Sequence, residues 1–247
     1  MFVNTNIHTI PLRVIIQNED EFLDTRQNRE SKEIFKLNAG NTKISTSMAS
    51  IGELQEKYKE LLKIYDHIIH MTIAPNLSGM HQTASMVANE TDFFGKVTII
   101  DQFITANPIV YMAKKFQLMI EKGVDDVSEF QKFANEVSPK VFLGLIPGDI
   151  AKLNKGGRTK AIKLGISTTL SGLLEKAVAE IKNNNPDGGN KVLLVYSPAI
   201  GEKTLKHSKQ FLEDNKVDYE LQLMPAIYSM HAGNDTVAIL SIPKELL

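Results

Sequence analysis

The sequence has no cysteine and no apolar run of the roughly 18 residues that a membrane-spanning helix needs. Without cysteine, disulfides, thiolate metal sites and thiol catalysis are excluded. The 28 Lys and Arg residues nearly balance 29 Asp and Glu, for a net charge of -1, so no basic excess favours nucleic acid. These absences predict a protein with no nucleic-acid partner and no stable membrane insertion.

The chain begins MFVNTNIHTIPLRVII, which does not combine a basic segment with an apolar stretch as a secretory signal does. We therefore expect a cytoplasmic protein. Its 247 residues, 43% hydrophobic and 23% charged, are ordinary for a globular protein with an ample core.

Strand-like and helix-like segments alternate along the chain, which predicts an α/β fold. Strands are predicted at 9–16, 67–74, 96–101, 140–146, 191–197, 217–224 and 235–242. Helices are predicted at 50–65, 78–88, 107–123, 128–137, 171–184 and 201–215. The polar residues 18–43 are predicted to form a loop or a loose helix. A boundary after residue 137 divides the chain into two α/β domains, 1–137 and 138–247.

The helix at 50–65 has the strongest pattern. Ser50 and Glu53 have the spacing of a capping box, in which each side chain binds the other residue's backbone N–H. Four apolar or aromatic residues share one face of this helix and predict its buried side: Leu54, Tyr58, Leu61 and Leu62.

The stretch PNLSGM, residues 75–80, places a hydroxyl and a glycine at the start of a predicted helix. The first backbone N–H groups of a helix lack intrahelical partners and carry partial positive charge, so they suit an anion. Ser78 can donate its hydroxyl to that anion, and Gly79 lets it approach the backbone. The alternative is that Asn76 or Ser78 is only the N-cap.

Two other polar segments have the composition of anion sites. Residues 45–50 carry four hydroxyls, of which the capping box explains Ser50 but not Ser45, Thr46 or Ser47. The segment NKGGRTK, residues 154–160, offers two glycines and the forked donor of Arg158, but it is not a P-loop. Taken alone, the first segment is more typical of an ordinary polar loop than of an anion site, and the second is equally compatible with a helix C-cap.

The histidines give no metal prediction. His67 and His70, three residues apart in a predicted strand, face opposite sides and cannot share an ion. His231 is predicted in a glycine-containing loop before the last strand, as a functional or a surface residue.

Together these segments resemble the DegV family of fatty-acid-binding proteins. The resemblance rests on TSMASIGELQEKYKELLKIYDHIIHMTIAPNLSGMHQTASMVA, on KVTIIDQFITANPIVYMAKKFQLMIEKG, on IPGDIAKLNKGGRTKAIKLG and on the late HAG. Their order and spacing agree with the family. The chain departs from it at Ala49, which replaces a loop proline, and at Met80, which replaces a threonine. On this resemblance we also expect it to lack the family's first strand and part of its C-terminal half.

The resemblance implies a bacterial lipid-binding protein of two α/β domains, with a ligand cavity between or within them. A long-chain fatty acid would be the ligand, without a metal or other cofactor. Thr46 and Ser47, with Ser78 and the Gly79 N–H, would hold its carboxylate, and Arg158 and His231 would lie near the head group. Related proteins serve a separate fatty acid kinase subunit in phospholipid metabolism, presenting the acyl chain for acyl-phosphate formation without catalysis of their own.

Two other functions remain open from the residues. Ser78 and His231 could serve an acyl hydrolase as nucleophile and base, with Asp235 orienting His231, although PNLSGM is not the G-x-S-x-G elbow. Alternatively, Arg158 and its glycines could bind another small anion, such as a phosphorylated metabolite.

Overall fold

The computed structural model describes residues 5–17, 21–39, 42–149, 169–184 and 189–247. The chain divides into two compact units: Met1–Val14 with Thr46–Pro139, and Ile15–Ser45 with Lys140–Leu247. The domain boundary expected after residue 137 stays a prediction.

The elements mostly follow the predicted alternation of strands and helices. The strands are β1 Arg13–Ile16, β2 Glu21–Leu23, β3 Ile44–Ser47, β4 Ile68–Met71, β5 Val97–Ile100, β6 Phe142–Ile146, β7 Lys191–Tyr196, β8 Glu220–Leu223 and β9 Val237–Ile242. The helices are α1 Arg26–Ser31, α2 Ile34–Ala39, α3 Ile51–Leu61, α4 Met80–Ala88, α5 Pro108–Glu121, α6 Val127–Val137, α7 Leu170–Asn184, α8 Glu202–Asp214 and α9 Ala226–Ala232. Short 3-10 turns occupy Ser138–Lys140 and Lys244–Leu246.

In the first unit, β4 and β5 pair in parallel, with Ile68 opposite Val97 and His70 opposite Ile99. Helices α3 and α4 pack on one face of this pair around a common core. Its buried members are Ala49, Leu54, Tyr58, Met80, Ala84, Val87, Ala88, Phe93 and Val97. The buried face predicted for α3 is confirmed by Leu54, Tyr58 and Leu61.

In the second unit, four strands form a mixed sheet of order β6-β9-β7-β8. Strand β9 is antiparallel to both neighbours, and β7 and β8 are parallel. All six residues of β9 are buried, as expected for a strand inside a sheet. The apolar face of α7 packs against this sheet through Leu174, Ala177 and Val178. A separate three-stranded sheet has the order β2-β1-β3.

The prediction of a loop or loose helix over 18–43 was confirmed for the helices α1 and α2 and was wrong for Glu21–Leu23, which form strand β2. Helix α1 buries no residue, so it lacks the apolar periodicity that would reveal it. Its start is fixed instead by the Thr25 side chain, which accepts a hydrogen bond from the Asn28 N–H at 3.2 Å.

The predicted loop around His231 was also wrong, since His231 lies in the last turn of α9. The glycine that suggested a loop is the C-cap of this helix: Gly233 has φ +91° and donates its N–H to the Ser229 carbonyl at 2.8 Å. The glycine therefore stops a helix of seven residues, which is too short to show a clear period.

None of the helices in the described ranges has the length and apolar character needed to cross a membrane.

Candidate functional site

The first hydroxyl segment ends strand β3. Thr46 and Ser47 are its last two residues, and both are half-buried. Three residues later Ser50 caps α3, and its side chain accepts from the Glu53 N–H at 3.3 Å. Buried Ala49, between these positions, anchors the segment in the core of the first unit. The predicted capping box is confirmed, and Thr46 and Ser47 lie just ahead of it.

The Glu53 carboxylate ties this segment to strand β1. Oε2 accepts from the Ser50 N–H and from the Ser50 hydroxyl, each at 2.8 Å. The Arg13 guanidinium donates to the same carboxylate through Nη2 and through Nε, the latter 3.0 Å from Oε1. These donors, Arg13 first and the Ser50 N–H next, lower the pKa of Glu53 to about 2. Sequence reasoning missed Arg13, because nothing in the spacing joins residues forty positions apart.

The second segment forms a tight turn into α4. Leu77 donates its N–H to the Ala74 carbonyl at 2.9 Å, and the Ser78 hydroxyl oxygen accepts from the Met80 N–H at 3.2 Å. The N-cap position is occupied by Gly79, without a side-chain cap. Gly79, not Asn76 or Ser78, is thus the N-cap residue, although the Ser78 oxygen does cap the first N–H group of α4. Accepting through oxygen leaves the Ser78 hydroxyl hydrogen able to donate.

Met48 and Gly79 bring the two segments together. The Met48 Sδ and Cε atoms lie 3.9 Å from the position that a Cβ atom on Gly79 would occupy. The Thr83 hydroxyl, one turn into α4, donates to the same sulfur at 3.9 Å. Because Ala49 and Met80 are both buried in one core, the segments are held at this spacing. Ser47 directly precedes Met48, and Ser78 directly precedes Gly79, so each serine is next to one of the two contacting residues.

The glycine at position 79 is not required by the backbone. Its φ of -69° and ψ of 1° are accessible to any residue. A Cβ atom there would make only ordinary van der Waals contact with the flexible end of Met48. Neither strain nor packing among the described residues requires the glycine; glycine is favoured at a helix N-cap, and its bare backbone also lets a bound group approach closely.

A buried polar pair lies in the core that supports these segments. The Tyr58 hydroxyl and His70 Nδ1 are 2.6 Å apart, and Tyr58 is almost fully buried. Burial, with a smaller contribution from His81, lowers the pKa of His70 to about 4, so its neutral form is favoured. His81 Nδ1 is also buried, without a hydrogen-bond partner among the described residues. His67 bonds elsewhere, with its Nε2 2.9 Å from Thr98 Oγ1.

The second unit holds His231, and its surrounding turn is fixed by amides that sequence reasoning missed. Asn38 Nδ2 donates to the Ser229 carbonyl at 2.9 Å and to Asn234 Oδ1 at 2.6 Å. Asn234 Nδ2 donates in turn to the Phe35 carbonyl at 2.9 Å. These bonds fix the end of α9 and thus the position of His231. Arg158 lies outside the described residues.

Asp235, the residue suggested to orient His231 in a hydrolase, has another role. Its Oδ1 accepts from the Gly201 N–H at 2.6 Å, which joins the turn before β9 to the start of α8. A Cβ atom on Gly148 would lie 2.7 to 2.8 Å from the Asp235 backbone, so three loops pack tightly here. This bond assigns Asp235 a structural function in the second unit.

Comparisons with known proteins agree with this architecture. The chain is similar to a DegV domain-containing protein of Staphylococcus aureus, with 24% identity covering 97% of this chain and 92% of that protein. Its fold matches the crystal structure of a fatty acid binding DegV family protein from Streptococcus agalactiae with a TM-score of 0.78 and 19% identity, covering 98% and 93% of the two chains. A stearic acid-binding protein from Eubacterium ventriosum matches with a TM-score of 0.71 and 16% identity, covering 95% and 90%.

The matches extend over nearly the whole chain, which confirms the α/β fold class predicted from the alternation of strands and helices. The family model described as "Uncharacterised protein, DegV family" matches residues 1–171, more than half of the sequence. The chain belongs to the DegV family.

Proposed function

We propose that this protein binds a long-chain fatty acid and holds its carboxylate in the first unit, by Thr46, Ser47, Ser78 and the Gly79 backbone N–H. The observation that carries the proposal is the contact between Met48 and Gly79, which brings the two hydroxyl segments together beside the start of α4. Proteins of similar fold are described as fatty-acid-binding, including one that binds stearic acid.

The chemistry of the two segments suits a carboxylate. A helix start supplies unpaired N–H groups and partial positive charge, and hydroxyls add donors without a fixed charge. Gly79 is exposed, and its φ is one that any residue can adopt. An oxygen atom can approach its backbone where a side chain would obstruct it. Arg158 and His231 are proposed to lie near the head group.

An acyl chain would supply most of the affinity. Each methylene removed from water contributes about 0.8 kcal/mol, so a chain of about 14 methylenes contributes roughly 11 kcal/mol before ordering costs. The proposed ligand cavity must therefore be apolar. Methionine suits such a lining, because its flexible thioether adapts to irregular shapes.

The protein itself would carry out no chemistry and would need no metal or other cofactor. In a bacterial cytoplasm it would present the acyl carboxylate to a separate kinase subunit for phospholipid metabolism. There a carboxylate oxygen attacks the γ-phosphate of ATP, giving an acyl phosphate and ADP. Fatty-acid-dependent ADP release in a mixture of loaded protein and such a kinase subunit tests this partnership, and ADP release that is independent of this protein contradicts it.

The test of the site is the double substitution Thr46→Ala and Ser78→Ala, assayed by displacement of a fluorescent fatty acid. Loss of one hydrogen bond to a charged group costs about 1.5–3 kcal/mol, so we expect affinity to fall by about tenfold or more. The matched control is Ser85→Ala, which removes a hydroxyl from the same helix that only donates to the His81 carbonyl. Unchanged affinity in the double variant would refute the proposed site.

The same variants separate the two alternatives. A hydrolase predicts turnover of short-chain esters that Ser78→Ala abolishes, and Asp235, bonded to Gly201, does not favour it. A binding protein for another small anion predicts that inorganic phosphate displaces the fluorescent fatty acid, whereas the fatty-acid proposal predicts displacement by oleate or palmitate and not by phosphate.

A further inference from the structure

Met48 is one of two exposed methionines among the described residues. Its side chain is 37% exposed, and that of Met86, on α4, is 52% exposed. Among the other described methionines, Met71 and Met119 are half-buried, and Met80, Met112, Met224 and Met230 are buried. Methionine thioethers are oxidised to sulfoxides according to their access to solvent, so the sequence's nine methionines are not equivalent towards peroxide.

The two exposed methionines differ in their surroundings. The Met48 sulfur lies 3.9 Å from the Cβ position of Gly79 and accepts from the Thr83 hydroxyl at 3.9 Å. Met86 lies in the last turns of α4, away from the helix start. A change at the Met48 sulfur therefore occurs beside the proposed carboxylate site, and a change at Met86 does not.

We propose that Met48 is a peroxide-sensitive modification site whose oxidation lowers the affinity for the fatty acid. The inference rests on the proposed function. The sulfur attacks one oxygen of hydrogen peroxide, the O–O bond breaks, and the products are the sulfoxide and water. Sulfur loses two electrons and the peroxide gains them. A sulfoxide reductase reverses the change.

The expected effect follows from charge and polarity. A sulfoxide oxygen is a strong acceptor with partial negative charge, placed beside the start of α4, where N–H groups attract anions. It would compete with the carboxylate for the donors at the start of α4, such as the Ser78 hydroxyl and the Gly79 N–H, and would repel the carboxylate charge. The loss of about one hydrogen bond corresponds to an affinity about fivefold to tenfold lower.

The test measures fatty-acid affinity before and after peroxide treatment, with peptide mass spectrometry to locate the sulfoxides. We expect peroxide treatment to lower the affinity of the wild type and of Met86→Leu, and to leave Met48→Leu at the affinity that this variant has before treatment. Methionine sulfoxide reductase should restore the wild-type affinity. Met48→Gln, which places a polar amide at this position, should bind weakly without peroxide.

The results distinguish this inference from the function on which it rests. If the untreated wild type binds no fatty acid, the proposed function fails. If it binds, but affinity is unchanged once Met48 is oxidised, the inference alone is overturned. Protection by Met86→Leu instead of Met48→Leu would also overturn it, as would a Met48 that stays reduced when Met86 is oxidised.

Discussion

The thioether of Met48 lies against Gly79, with Sδ and Cε each 3.9 Å from the position of an absent Cβ atom. This contact joins two residues that are 31 positions apart in the sequence. Each lies in a segment that brings hydroxyl groups, and the second segment brings the start of α4. An anion site built this way depends on the bare backbone at Gly79 and on the rigid support of each segment.

Gly79→Ala is expected to leave the fold intact and to weaken fatty-acid binding. The backbone accepts a Cβ atom, so the free energy of unfolding should change by less than about 1 kcal/mol. A methyl group would displace the carboxylate from a backbone N–H, at a cost of about tenfold in affinity. The control is Gly52→Ala on α3, where a Cβ atom meets nothing within 4 Å. If Gly79→Ala and Gly52→Ala bind the fatty acid equally well, binding does not depend on a glycine at position 79.

Glu53→Gln is expected to destabilise the first unit while preserving the capping box, because glutamine can fill the same position. The lost ion pair with Arg13 should cost about 1 kcal/mol, and Glu53→Ala should cost more because the cap is lost too. Chemical unfolding of the two variants measures the difference.

The pH dependence of the Glu53 interaction has a definite sign. Folding lowers the pKa of Glu53 from 4.5 to about 2, so its stabilisation is complete above pH 4.5 and declines towards pH 2. The stability gap between the wild type and Glu53→Gln should therefore narrow as the pH falls below 4.5. A gap that is independent of pH would show that the ion pair does not stabilise the fold.

The buried Tyr58–His70 pair is expected to make the first unit lose stability on acidification at a higher pH than the Glu53 interaction does. Folding lowers the pKa of His70 from 6.5 to about 4, so the unfolded chain binds the proton first and stability falls as pH drops through that range. His70→Asn should flatten this dependence. Tyr58→Phe should keep it and lower the free energy of unfolding by about 1–3 kcal/mol, since the imidazole nitrogen loses its partner. Identical pH profiles for the wild type and His70→Asn would contradict this account.

Gly233→Ala is expected to destabilise the second unit strongly. The position has φ +91°, and a Cβ atom would lie 2.8 Å from the Cβ and N atoms of Asp149. Strain and overlap together should cost roughly 2 kcal/mol or more. Gly189→Ala is the control, because its φ of +90° is equally strained but its Cβ atom meets only Lys244 Cδ at 4.0 Å. Urea unfolding should show the larger loss for Gly233→Ala, and equal losses would exclude a role for packing.

Local patterns predicted the elements that a single stretch of sequence specifies. Helix α3 has a cap and an apolar face within its own residues, and the structure confirms both. Helix α9 was missed because its seven residues are set by Gly233 and by the distant amide of Asn38. Within residues 18–43 the bounds of α1 could not be predicted, since this helix has no buried face to reveal it.

The candidate site likewise combines features that local sequence predicts with features that only tertiary packing determines. The hydroxyls of Thr46, Ser47 and Ser78 were found from their position ahead of predicted helices. Their support by Arg13 and Glu53, and the role of Met48 as the joining contact, depend on tertiary packing that spacing does not encode. The role of Arg158 stays a prediction, because NKGGRTK lies outside the described residues.

The most direct test of fatty-acid binding is mass spectrometry of lipids released from the purified, denatured protein. We predict one fatty acid per chain in the wild type, depleted in the Thr46→Ala, Ser78→Ala double variant and retained in Ser85→Ala. A wild-type protein that is empty, and that also takes up neither oleate nor palmitate, would contradict the account.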